Sequence, residues 1–386
     1  MTPAADALRT TDAMPAAVPV RRVDFARPRV CLLGLPFDPI GLDDAVERIR
    51  DAAFAGRRCW VATPNLNFAI AARSDAAFRE SVLRSDLSLV DGMPLVWIAR
   101  LLGLPVRERV AGADLFEALQ AHPGPPLAVY LFGGPPGVAA RACERINARG
   151  GGVRCVGYDE AGYGEIESMS DGALIERINR SGAHFVSAAL GAQKGQAWIA
   201  HNAERLAAPV LCHLGAVMNF TAGTVRRAPR WLQRSGLEWA WRIRQEPALW
   251  KRYARDGLQA ARLVATRVVP AARAARALRG AAGGETPPVA ISRSVAGTVL
   301  RPAAAAGDAA ATALRAALAD CAGDARVTVD LSAVAAVGNG FAATLLVAQG
   351  WFGARGGFAV TGAGPAARAD LHHLLCDELL SERIVP

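Results

Sequence analysis

The sequence predicts an α/β protein whose core is a mostly parallel sheet with helices on both faces, and three observations predict it. Short apolar runs of strand length recur: CWVAT (59–63), LAVYLFGG (127–134), VRCVGYD (153–159), HFVSAALG (184–191) and PVLCHLG (209–215). Most are apolar at successive positions rather than alternate ones, as strands covered on both faces are. Helix-length amphipathic stretches separate them, joined by polar or glycine-bearing turns. Repetition of that βα unit gives a Rossmann-like layout.

In chain order, residues 1–28 read as a flexible leader rich in Ala and Pro, and 29–223 as the α/β core. VCLLG (30–34) reads as a first short strand. LDDAVERIRDAAF (42–54) places Leu42, Val46, Ile49 and Ala53 on one helical face. Residues 61–114 then read as strand, polar turn, helix, short strand, and an acidic turn opening a second apolar helix. Further βα units follow to residue 215. Residues 224–279 form a basic, aromatic helical appendage, its part from 257 to 279 reading as one Ala/Arg-rich helix. Residues 280–294 are a Gly/Pro-containing linker, and 295–386 a second, smaller α/β unit.

The formal charge is +9, and only Lys194 and Lys251 are lysines, so the excess is almost entirely guanidinium. Arginine matches phosphate in a bidentate way, admitting a nucleotide, a lipid phosphate or a nucleic acid as partner. A genome rich in Arg, Ala and Gly codons accounts for part of the count. The seven cysteines show no C-x-x-C and no zinc spacing, and read as buried thiols of a reducing compartment. No basic-then-apolar leader marks a signal peptide. Residues 331–354 are uncharged and long enough to span a bilayer. Gly338, Asn339, Gly340 and Gln349 within them favour strand, turn and helix, so membrane contact is expected to be peripheral, on the cytoplasmic side.

Thr63, Asn65 and Asp91 fall where strands give way to helices, the edge at which open α/β sheets bind ligands. Asp91, in LSLVDGMP, is placed either to cap the next helix or to act as a general base taking a proton from an acceptor hydroxyl. Both roles fit one side chain. Thr63 and Asn65 suit a turn and cap, or a sugar's hydroxyl and amide groups. Arg107 and Arg109 are surface charges, or one of them faces a diphosphate. The loops FGGPPG, with Gly133, and LGAQKG, with Gly191 and Gln193, follow strands without forming a phosphate-loop fingerprint. No D-x-D pair and no histidine spacing implies a metal; His184 and His213 read as core or strand-end residues.

From Arg226 to Arg255 the appendage holds eight Arg and one Lys against two Glu, with four of the chain's eight tryptophans. Guanidinium interleaved with indole suits an anionic membrane interface. It suits single-stranded nucleic acid less well, and no nucleic-acid partner is expected. A helical subdomain packed on the sheet through its tryptophans is the structural alternative, compatible with the first.

These motifs resemble the WecG/TagA/CpsF family of bacterial glycosyltransferases over about 30–256. The likeness rests on T-P-N-x-N (63–67), V-D-G-x-P-L-V-W (90–97), R-V-A-G-A-D (109–114) and R-A-P-R-W-x-x-x-x-G-L-E-W-x-x-R-x-x-x-E-P (227–247). The resemblance implies an inverting enzyme without metal or other cofactor. It would move an N-acetylmannosamine-type or related sugar from a UDP-sugar donor to a polyprenyl-diphosphate-linked acceptor in cell-surface polysaccharide synthesis. Asp91 becomes the base, Thr63 and Asn65 active-site polar contacts, and Arg109 a phosphate contact. Gly133, Gly191, Gln193, Gln196 and Asn219 become substrate contacts. Arg227, Arg230, Arg234 and Arg242, with Trp231 and Trp239, become phosphate and membrane contacts.

The sequence departs from the pattern twice. Relatives commonly read Leu-Gly-x-Pro-Lys-Gln-Glu-x-Trp where this chain has LGAQKGQAW (190–198), so Gly195 replaces a functional Gln, with Gln193 or Gln196 as substitutes. Asn219 replaces a customary Asp. These departures support a second class, a weakened transferase serving as a scaffold; a nicotinamide oxidoreductase lacks its fingerprint. Residues 295–386 resemble a STAS domain, with Gly338-Asn339 where phosphorylatable members carry Asp-Ser. That implies fixed docking to a protein partner or self-association rather than a phosphorylation switch.

Overall fold

The computed structural model describes residues 17–160, 164–280, 289–303 and 308–380. A hairpin comes first, β1 (Val30–Leu32) and β2 (Leu35–Phe37), turned by Leu33 and Gly34 at positive φ. Then follow α1 (Leu42–Phe54), β3 (Cys59–Ala62), α2 (Leu66–Ala71), α3 (Ala76–Leu83), β4 (Leu87–Ser88), α4 (Met93–Leu102) and α5 (Gly112–Ala121). The chain continues through β5 (Leu127–Gly133), α6 (Val138–Arg149), β6 (Val153–Asp159), α7 (Gly172–Arg180), β7 (Phe185–Ala189), α8 (Ala192–Asn202), β8 (Val210–His213) and α9 (Gly215–Ala222).

Strands β3 to β8 form one parallel sheet in the order β4-β3-β8-β7-β5-β6. The chain steps outward from β3 to β4, crosses to β5, and returns to finish at β8 beside β3. That reversal leaves a crevice at the C-terminal ends of β3 and β8, the place where open sheets bind ligands. All seven residues of β5 are buried, as the continuous apolar run requires. Ile49, Leu115, Ile146 and Val217 cover one face of the sheet. On the other, Trp198 of α8 stacks on Phe132, ring centroids 4.3 Å apart.

The appendage comprises α10 (Arg230–Arg234), α11 (Glu238–Gln245), α12 (Trp250–Leu263) and α13 (Val269–Gly280). The single helix expected over 257–279 is interrupted by a π turn at Val264–Val268. Pro270 lies just beyond it; its missing N–H and ring crowd the preceding turn and force the wider winding.

The second unit runs β9 (Val289–Ser294), β10 (Gly297–Pro302), α14 (Asp308–Asp320), β11 (Val327–Asp330), α15 (Asn339–Phe352), β12 (Phe358–Thr361) and α16 (Pro365–His373). Its sheet has the order β12-β11-β10-β9, with β9 antiparallel to β10 and the others parallel. The linker reading therefore corrects at its end. Residues 289–294 pair with β10, while 281–288 lie outside the described residues.

The leader reading corrects too, for its described part. Phe25 is buried and stacks on Phe352 at 5.9 Å, and Arg27 and Arg29 both reach the buried Asp38. The all-thiol reading of the cysteines also fails at one pair. Cys143 of α6 and Cys155 of β6 are joined as a disulfide, their Cα atoms 5.3 Å apart, because α6 packs directly against β6. The other five are buried thiols.

Helix α15 explains the uncharged stretch 331–354. It is apolar all round because it is enclosed all round, by β1, β2, α3 and α14. Among the described residues no helix is long and apolar enough to cross a membrane. At its closest approach to α3, a Cβ on Gly350 would come within 2.0 Å of the Leu83 carbonyl oxygen, so only glycine fits. At its N-terminus, Asn339 Oδ1 accepts from Cys31 N–H and Nδ2 donates to Cys31 C=O, each at 2.8 Å. The amide thus serves as an extra strand partner for β1. Asn339→Ala is expected to strand both backbone groups of Cys31 and to cost about 2–4 kcal/mol, read as a lower denaturation midpoint.

Candidate active site

Past β4, the chain stays alongside the end of β3. Leu89 N–H donates to Ala62 C=O at 2.9 Å and Asp91 N–H to Pro64 C=O at 3.0 Å. This pairing carries Asp91 to the crevice. The capping residue of α4 is Gly92, at φ 122°, and not Asp91. Freed from capping α4, the Asp91 carboxylate is turned instead towards the backbone N–H of Gly112, at the start of α5, which favours its charged form. The positive end of that helix acts in the same direction.

Thr63 is buried at the end of β3. A Cβ on Gly112 would lie 3.5 Å from Thr63 Oγ1 and 2.7 Å from Leu214 Cδ2, so the bare glycine lets β3, β8 and α5 converge beside Asp91. Asn65 caps α2, its Oδ1 accepting from Phe68 N–H at 3.2 Å, with its Cβ beside Gly92. Thr63, Asn65 and Asp91 therefore share one edge.

Burial is the largest influence on Asp91 and raises its carboxyl to about 6, with the Glu238 charge adding to it. Arg109, the Gly112 N–H and Arg242 pull the other way. Arg109 donates to Glu238 Oε2 and to Asp114 Oδ2, both at 2.8 Å. Arg227 reaches Asp114 at 2.6 Å and Glu117 at 3.6 Å. Arginines and carboxylates thus alternate around Asp91, and Glu238 and Arg227 reach in from the appendage of the same chain. Beside them a cavity of about 50 Å³ is lined by Asn219, Phe220, Glu238, Trp241 and Arg242. Arg242 lies over the Phe220 ring at 5.8 Å.

Sequence reasoning had named Asp91, Arg109, Asn219, Arg227 and Arg242 but not Glu238 or Asp114. Both lie inside family-like motifs, G-L-E-W and R-V-A-G-A-D, where a single carboxylate beside arginines carries no spacing signal of its own. The backbone of Arg230 and Arg234 lies in α10; their side chains are outside the described residues. Trp231 and Trp239 are exposed, Trp231 at 67%.

The chain matches the glycosyl transferase WecG/TagA/CpsF family over residues 30–274. It belongs to that family. As a member it is a glycosyltransferase. It is 27% identical over 194 residues to an N-acetylglucosaminyldiphosphoundecaprenol N-acetyl-beta-D-mannosaminyltransferase of Bacillus spizizenii, covering 50% of this chain and 74% of that one. A protein of the same name from Bacillus subtilis strain 168 is 28% identical over 194 residues, covering 50% and 73%. Among the described residues, no group of three or more His, Cys, Asp or Glu is placed to hold a metal ion.

Against the family pattern, Gly195 is accounted for by its neighbour. A Cβ there would sit 2.2 Å from Nδ1 of His213, so the imidazole fills the space a side chain at 195 needs. His213 Nδ1 hydrogen-bonds to the Ala188 carbonyl at 3.0 Å, and burial lowers its pKa to about 4, keeping the ring neutral. Gln196 does not substitute for the missing glutamine. It is fully buried beneath the sheet, its Oε1 accepting from Trp60 Nε1–H at 3.0 Å. Gln193 is exposed, with Nε2 on Asp75 Oδ2 at 3.0 Å. Gly191, at φ 80°, precedes α8, whereas Gly133 is buried against Leu190 and the Ala189 carbonyl and serves strand packing rather than ligand contact.

Proposed function

We propose that the enzyme transfers an N-acetylmannosamine-type or related sugar from a UDP-sugar to a polyprenyl-diphosphate-linked acceptor, with inversion and without a metal or other cofactor. One observation carries this reading: a carboxylate raised to about 6 stands at the crevice where Arg109 and Arg242 bear on it. A base of that strength is deprotonated at neutral pH yet basic enough to take the acceptor hydroxyl's proton. The hydroxyl oxygen attacks the anomeric carbon as its bond to the UDP oxygen breaks, and the arginines meet the charge on departing UDP. The activity for which the two Bacillus relatives are named supports the choice of sugar and acceptor.

A cavity of about 50 Å³ is far smaller than the several hundred Å³ that a ligand of this size occupies. Donor binding in this reading swings α10 and α11 outward, releasing Arg109 from Glu238 to the diphosphate. The test is UDP release from UDP-sugars with a polyprenyl-linked acceptor. Turnover supports transfer; saturable UDP binding without turnover across such donors favours the scaffold.

The same movement would take place at an anionic membrane surface on the cytoplasmic side. Trp231, Trp239 and Trp250 are exposed on the appendage and Trp97 on α4, all suited to headgroup depth. Trp231→Ala/Trp239→Ala is expected to weaken binding to anionic vesicles at least tenfold in a flotation assay while UDP affinity is kept. Equal vesicle binding would remove the membrane role. For residues 295–386 we keep the STAS-like reading, in which the loop bearing Gly338 and Asn339 docks permanently; its partner in this chain is β1.

A further inference from the structure

The opposite edge of the main sheet carries a second, larger hollow. At the N-terminal ends of β3 and β4, a cleft of about 720 Å³ lies between α1, the segment 20–29 and Val347 of α15. Its lining holds seven arginines, at 21, 22, 27, 29, 48, 57 and 58, against three aspartates, Asp24, Asp51 and Asp86. The excess is four positive charges facing one concavity. Such a concentration repels itself, and Asp38 behind Arg27 and Arg29 offsets only part of it.

The arginines divide into two groups. Arg21, Arg27, Arg29 and Arg58 are committed to the fold: Arg21 pairs with Asp86 at 3.1 Å, and Arg58 donates to the Ala208 and Leu206 carbonyls at 2.6 Å each. Arg27 and Arg29 also reach the Asp86 carbonyl. By contrast Arg22, Arg48 and Arg57 are exposed and have no side-chain hydrogen bond or ion pair among the described residues. The cleft thus has a floor of fixed cations and a rim of uncommitted ones. Leu83, Leu87, Ala52 and Val347 add an apolar wall. The C-terminal ends of α1 and α3 point here and disfavour an anion; the excess of four whole positive charges outweighs these partial ones.

We propose that this arginine-lined cleft is a second ligand site, separate from the sugar-transfer edge, which takes a phosphate-bearing anion of nucleotide size. Guanidinium forks recognise phosphate oxygens in pairs. The charge excess suits at least two phosphates, and the volume lies within the range of small-molecule sites. A ligand here touches the β3–β4 edge, the 20–29 segment and the C-terminal unit at once, so binding ties them together.

The test uses the full chain without UDP, which the cleft would itself take; binding at the transfer edge is common to parent and variant and drops out of their difference. Inorganic tripolyphosphate and GTP are titrated calorimetrically into the parent and into Arg48→Glu/Arg57→Glu, whose altered side chains have no partners to lose. The expected result is stoichiometric binding of at least one probe to the parent, weakened at least tenfold in the variant and by added salt. An unchanged melting temperature shows that the variant is folded. Tighter binding of GTP than of tripolyphosphate would assign the apolar wall to a nucleobase; equal binding would assign the site to free polyphosphate. Absence of binding by both probes, equal binding to the variant, or binding of polyglutamate in their place would overturn the proposal.

Discussion

Asp91→Asn is expected to lower turnover by roughly 10²- to 10⁴-fold, the usual worth of a general base, while UDP binding is retained. The same change should make the protein more stable at neutral pH. Burial raises the carboxyl from 3.8 to about 6 in the folded chain. The native state therefore holds this proton more tightly than the unfolded chain does. The ionised carboxylate costs stability above about pH 6, and that cost disappears as pH falls through 6 towards 3.8. The full shift corresponds to no more than about 3 kcal/mol, which the neutral amide would recover.

For the parent, kcat/KM should fall on the acid side with an apparent pKa near 6. Glu238→Gln removes a negative neighbour and should move that limb lower; Arg109→Gln removes a positive one and should move it higher. A limb unmoved by both changes, or full turnover in Asp91→Asn, would take the base away from this residue.

Gly195→Gln is expected to be severely destabilising alone and tolerated in combination with His213→Gly. The single change drives a side chain into the imidazole; overpacking of this kind costs about 1–3 kcal/mol, and the 2.2 Å approach to Nδ1 leaves no room for relaxation without moving the ring. Removing the ring restores the volume, so the two changes should be strongly non-additive. Melting temperatures of the parent, both single variants and the double variant measure this directly. If the double variant also carries higher kcat, the glutamine the family pattern expects at 195 belongs to the reaction. Additive losses would show that the imidazole is not what excludes a side chain there.

The sheet was legible because its strands are covered on both faces, and a run such as LAVYLFG has little choice of structure. Helix α1 was legible to its end residues because its apolar spacing holds a single face. The hairpin β1–β2 was only half seen: its strands have three residues each, too few for a period to show. Strand β9 was hidden since its residues are mostly exposed and it follows a Gly/Pro-rich run, so alternation gave no signal.

At the crevice, Asp91, Thr63 and Asn65 could be placed because strand ends fix positions along a sheet. What Asp91 binds could not be: its partner, Gly112, has no side chain to attract notice, and its cap was taken by Gly92, one residue on. Position 195 shows the same limit. The departure was visible, but its cause lies on another strand, at His213, and only the fold brings the two together.

The packing of α15 bears on how the chain is divided. The family segment runs over residues 30–274, and the unit that carries α15 lies beyond it. Yet Leu83 and Cys31, both within the family segment, are moulded to Gly350 and Asn339 outside it. That unit is no detachable passenger. Cut away, it would leave a greasy scar along the hairpin and α3, and any shortened enzyme would have to resurface that flank before it could stay dispersed in water.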